Sequence, residues 1–149
     1  MKKFLYILFF FLSSCGYQPI YLNKDLKNFE FKEIVFLGEN NINRKIINAL
    51  SIKENKENKE NNRLFISSSS EIKQNSKNSK GQVDSYQTVI NVNLIIRNSN
   101  DEIIKDKSFK KEFSYNSKQN KFELVEYQNS IRDDLIDKII SDIIIYLNQ

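Results

Sequence analysis

The feature that most constrains this chain is a long stretch of strict alternation. From Tyr86, the residues Tyr86, Thr88, Ile90, Val92, Leu94 and Ile96 fall on one side, while Gln87, Asn91, Asn93 and Arg97 fall mostly on the other. Successive strand side chains point to opposite faces, so this spacing specifies a strand with one buried face. At about 11 residues it extends roughly 36 Å. Asn98-Ser99-Asn100-Asp101 is a short polar connection, and Ile103 to Tyr115 returns with Phe109, Phe113 and Tyr115 sharing a face. Two long strands joined so tightly form a β-hairpin, which needs a second layer to cover its apolar side.

That layer is supplied by the C-terminus. Asn116 to Asn120 breaks the alternation, and Ile131, Leu135, Ile139, Ile143 and Leu147 then recur every four residues, with Ile136, Ile140 and Ile144 alongside. Arg132, Asp133, Asp137 and Ser141 occupy the opposite side. This spacing predicts an amphipathic helix with a stripe wide enough to cover a sheet. A membrane-surface helix is the rival reading, but Asp133, Asp134, Asp137 and Asp142 make its polar face acidic, which anionic lipid repels.

The earlier half of the chain reads as two more strands and a helix. Phe29 to Leu37 starts with alternation and ends wholly apolar, a strand with its second half buried, stopped by Gly38. Asn40 or Asn41 is a candidate cap for a helix of about three turns with Ile42, Ile46, Ala49 and Leu50 on one face. Ser51 to Asn62 is a Lys/Glu/Asn repeat without an apolar stripe, expected to be a frayed helix end passing into a solvated linker. Arg63 to Gln74 resumes strand character with Leu64, Ile66 and Ile72 on one face, and Asn75 to Gly81 is a polar turn. The expected fold is α+β, a two-layer sandwich in the order βαβββα, with a four-stranded, mostly antiparallel sheet covered by two helices.

The N-terminus carries a different signal. Lys2 and Lys3 precede an apolar run from Phe4 to Leu12, and Leu12-Ser13-Ser14 leads into Cys15, the single cysteine of the 149 residues. A basic start, a run of roughly nine apolar residues and small residues before a cysteine make a bacterial lipoprotein signal, cleaved before the cysteine that takes the lipid. The run falls short of the about 20 residues that span a bilayer. Expected boundaries are a cleaved signal peptide at 1–14, a lipidated tether at 15–28 holding the only proline, and one domain at 29–149. Removing Lys2 and Lys3 takes the net charge from +4 to +2.

Composition excludes several chemistries. With no histidine and its single cysteine taken up by lipid, the chain has neither the side chains of a zinc site nor a Cys/His nucleophile. No metal or cofactor is expected, and no Asp or Glu stands in a recognisable acid/base motif, which disfavours a carboxylate hydrolase. Nucleic acid is also disfavoured, because basic residues are interleaved with acidic ones and the leader directs export.

The run Cys15-Gly16-Tyr17-Gln18-Pro19-Ile20-Tyr21 resembles the mature N-terminus of the LptE family of lipopolysaccharide-assembly lipoproteins, which begin Cys-Gly-aromatic-polar-Pro-aliphatic-Tyr. The resemblance implies a non-enzymatic lipoprotein of the outer membrane, lipidated at Cys15 and facing the periplasm. It also implies an LptD-type β-barrel as partner and lipopolysaccharide as ligand. Gly16 beside the lipidated cysteine agrees with export to the outer membrane. Lysines suit the phosphates and acidic sugars of such a ligand. The candidates are Lys77 and Lys80 at the turn before the long hairpin, and Lys105, Lys107, Lys110 and Lys111 on its return strand. The alternative is an auxiliary lipoprotein of another envelope lipid-transport machine of the ABC type.

Overall fold

A computed structural model describes residues 29–148 apart from Lys59. The expected signal peptide, the tether and Cys15 lie outside the described residues. In order, the elements are β1 (Glu30–Phe31), β2 (Glu33–Gly38), α1 (Asn40–Ala49), β3 (Lys53–Glu54), β4 (Arg63–Lys77), β5 (Val83–Arg97), β6 (Ile103–Asn116) and α2 (Lys121–Leu147). The main sheet has the order β2-β4-β5-β6, with β2 parallel to β4 and the other two pairs antiparallel. Both helices lie on one face, as the α+β two-layer reading expects.

The alternation in β5 orders this face. Ile90, Val92, Leu94 and Ile96 are buried, and the register sets Leu64 opposite Ile96, and Ile66 opposite Leu94. Phe109 of β6 completes the row through Val92. Ile42, Ile46 and Ile47 of α1 and Ile131, Leu135, Ile136, Ile139, Ile140, Ile143 and Leu147 of α2 close over it as one core. Fully burying one such side chain contributes about 1.5–3 kcal/mol, so packing dominates the stability of both helices.

Several local expectations are corrected. α1 begins after Glu39, which has extended backbone and no side-chain cap bond; neither Asn40 nor Asn41 caps it. Ala49 is exposed, and Asn43 takes the inward place, donating its Nδ2 to the Leu37 carbonyl at 2.8 Å. β2 is an edge strand, so its apolar end is only half-buried and Leu37 is exposed. β4 continues past Gln74 to Lys77, which shortens the turn to Asn78–Gln82.

The Lys/Glu/Asn repeat is structured rather than frayed. Lys53 and Glu54 pair in parallel with Glu30 and Phe31, a two-stranded sheet absent from the sequence reading. Asn55 and Asn58 hold the following turns by accepting the N–H groups of Glu57 and Glu60, and Asn58 Nδ2 reaches back to the Glu30 carbonyl at 2.7 Å. Buried Phe31 and Ile52 fix this unit to the core.

Candidate functional site

The two ends of the sheet differ, and the candidate lysines divide between them. The turns linking β4 to β5 and β5 to β6 are built alike, each from an asparagine whose Oδ1 accepts two backbone N–H groups: Asn78 from Lys80 and Gln82, Asn98 from Asn100 and Glu102. In each, a residue in the left-handed region closes the turn, Gly81 at φ 77° and Asp101 at φ 68°. Such a short polar side chain is what lets these hairpins turn within a few residues.

The β4–β5 end carries Lys77 and Lys80, both exposed. Toward this end β4 and β6 carry Ile72 and Phe113 on the helix side of the sheet, and the first turns of α2 carry Phe122 and Val125; all four are 45–68% exposed. Behind them lies an aromatic cluster. Tyr86 stacks on Tyr115 with ring centroids 6.0 Å apart, Tyr127 meets Tyr115 edge-on at 5.6 Å, and the Tyr115 hydroxyl is 3.1 Å from that of buried Thr88. Lys118 Nζ lies 4.5 Å over the Tyr127 ring. This lysine was not among the sequence candidates, since nothing in Asn116–Asn120 shows that an aromatic face approaches it.

The β6 lysines sit elsewhere. Register places Lys105, Lys107 and Lys111 opposite Ile96, Leu94 and Ile90 on the helix face, and Lys110 opposite Asn91 on the open face. Lys105 Nζ lies 5.1 Å over Tyr146, Lys111 pairs with Asp142 of α2 at 2.7 Å, and Lys110 pairs with Glu112 at 2.7 Å. Lys107 borders a hollow of about 400 Å³ with Phe109, Asp142 and Tyr146. The six lysines therefore form no single cluster. Lys77 and Lys80 stand together at one tip, and three of the β6 four are engaged by neighbours.

At the opposite end, a groove of about 730 Å³ is lined by Phe29, Phe31, Ile96, Ile104 and Leu147 together with polar groups of the Lys/Glu/Asn loop. Among the described residues, no three Asp, Glu, His or Cys gather as a metal site, and no helix is long and apolar enough to cross a membrane. The β4–β5 end thus combines two exposed lysines at its tip with exposed apolar side chains further back along the same strands, chemistry suited to an anionic amphiphile.

The architecture is one found in bacterial lipoproteins. Rare lipoprotein B from Shewanella oneidensis superposes with a TM-score of 0.59 at 10% identity, over 78% of this chain and 93% of that one. An uncharacterized lipoprotein B from Nitrosomonas europaea gives 0.58 at 11%, over 78% and 80%. A minor lipoprotein from Acinetobacter baumannii gives 0.58 at 12%, over 77% and 87%. No family model matches the chain, and no curated protein matches it in sequence. At such identities the likeness is one of fold.

Proposed function

We propose that this chain is a non-enzymatic lipoprotein of the outer membrane, anchored through acylated Cys15 with its domain in the periplasm. It assists assembly of an LptD-type barrel and the insertion of lipopolysaccharide into the outer leaflet. The observation that carries this reading is the lipoprotein signal from Lys2 to Cys15, set before a domain whose fold is shared with three bacterial lipoproteins. The Cys15–Tyr21 motif narrows the reading to the lipopolysaccharide machinery. Exposed Lys77 and Lys80 at the tip, with exposed Ile72 and Phe113 further back along the strands, support it, since lipopolysaccharide joins anionic head groups to acyl chains.

Affinity capture of the mature lipoprotein from membranes in mild detergent tests the reading. A large outer-membrane barrel should remain bound. Recovery of an inner-membrane ABC transporter instead would move the protein to the alternative machine, and recovery of neither would sink the proposal.

A further inference from the structure

β4 outlasts its neighbour. β2 ends at Gly38, opposite Ser68, and from there to Lys77 no described strand covers the outer edge of β4. The Ser68 carbonyl accepts the Glu39 N–H at 3.0 Å, and the Ser70 N–H donates to Glu39 Oε1 at 2.7 Å, so even-numbered residues turn their backbone groups to this edge. The same alternation leaves the N–H and C=O of Ile72 and Gln74 facing outward, while odd-numbered residues bond β5. Register shifts, which twist an edge away from pairing, begin only after Gln74.

We propose that this edge pairs with the same edge of a second copy, antiparallel about a two-fold axis at Ile72. Ile72 then exchanges both backbone bonds with Ile72 of the second copy, and the two sheets join into one. Glu71 falls opposite Lys73 of the second copy, and Lys73 opposite its Glu71. Within one copy Lys73 Nζ already lies 3.3 Å from Glu71 Oε2, so the joined edges bring four charges together with alternating sign. On the other face Ile72, 48% exposed, is covered by its counterpart.

Charge selects this register. An axis at Glu71 or Lys73 sets like charges directly opposite, and an axis at Gln74 draws in the irregular segment. At Ser70 the N–H is already taken by Glu39. A contact in which the same patch serves both partners closes at two copies and does not propagate. The inference stands apart from the proposed barrel partnership.

Sedimentation equilibrium of the mature lipoprotein in density-matched detergent tests it. The chain should show a concentration-dependent dimer. Glu71→Lys alone, or Lys73→Glu alone, should weaken that dimer by about tenfold, since each sets like charges opposite. An equimolar mixture of the two variants should restore it, because the mixed pair is complementary at both positions. Ile72→Pro removes an N–H that faces the edge and none that bonds β5, so it should leave a folded monomer by circular dichroism. A monomer at every concentration, a dimer indifferent to Ile72→Pro, or a mixture no tighter than the single variants would overturn the proposal.

Discussion

The carboxylate of Glu39 accepts the backbone N–H of Ser70 at 2.7 Å, at the point where β2 has left the sheet and α1 begins. The Ser68 hydroxyl donates to the Glu39 carbonyl at 3.0 Å, and Glu39 Oε2 lies 3.6 Å from Arg132 of α2. One residue thus fastens the end of an edge strand, the start of one helix and the flank of another. Glu39→Ala should lower unfolding free energy by about 1–2 kcal/mol, because the Ser70 N–H loses its acceptor in a half-buried site. Glu39→Gln keeps an acceptor and should cost less. Urea unfolding that gave both variants the same loss would show the Ser70 bond to be unimportant.

The two faces of α2 make a sharper contrast. Ile139 is 0% exposed and Ile145 is 55% exposed, six residues apart on one helix. Ile139→Ala should destabilise the domain by about 2–5 kcal/mol, and Ile145→Ala should stay within about 0.5 kcal/mol. Comparing their urea midpoints checks which side of the helix faces the sheet.

Lys45 bridges the helices, its Nζ 3.1 Å from both Asp133 and Asp137. Burial pushes its pKa down, but hydrogen bonds and charge from Asp137 and Asp133 outweigh that, and the net shift is upward from 10.5. A raised folded-state value favours the folded state below the unfolded pKa, and this contribution disappears as pH rises through the folded one. The bridge should therefore be fully present at neutral pH and lost only above about pH 10.5. Both carboxylates are largely exposed, so screening holds the contribution to less than about 1 kcal/mol. The double substitution Asp133→Asn, Asp137→Asn should flatten the alkaline stability profile measured by thermal unfolding.

For ligand binding, position along the sheet distinguishes the lysines. The pair Lys77→Glu, Lys80→Glu should weaken association with lipopolysaccharide vesicles by about tenfold or more at low salt, and less as salt is raised. Lys110→Glu, on the open face and already beside Glu112, should change it little. Equal loss in the two variants would place the contact somewhere other than the β4–β5 tip.

How much of this was legible in the sequence follows the strength of the periodic signal. β5, β6 and α2 announce themselves because burial on one face imposes a period of two or near four over many residues. The last residues of β4 do not: Asn75–Lys77 reads as part of a polar turn, is exposed throughout, and takes strand form by pairing with β5, which local composition does not record. The β1–β3 pair was invisible for a related reason, since Lys53–Glu54 carries no apolar period and is held by Asn58 and by buried Phe31 and Ile52. Of the candidate site, the sequence groups Lys105, Lys107, Lys110 and Lys111 on one strand, and only the register with β5 sets Lys110 on the open face apart from the other three. The aromatic surroundings of Lys118 depend on α2 returning over the sheet, a long-range contact outside the reach of any window of sequence.

The small β1–β3 sheet bears on how the domain carries load. Any pull on the chain upstream of Phe29 arrives first at the bonds from Lys53 N–H to the Phe29 carbonyl and from Asn55 N–H to the Phe31 carbonyl, 3.0 and 2.8 Å long. Buried Phe31 stands directly behind them, and β2 begins only after Lys32. The Lys/Glu/Asn loop thus acts as a strain relief like the clamp on an electrical cord. Tension arriving from upstream of Phe29 meets a two-residue clasp before it can peel the edge strand from the main sheet.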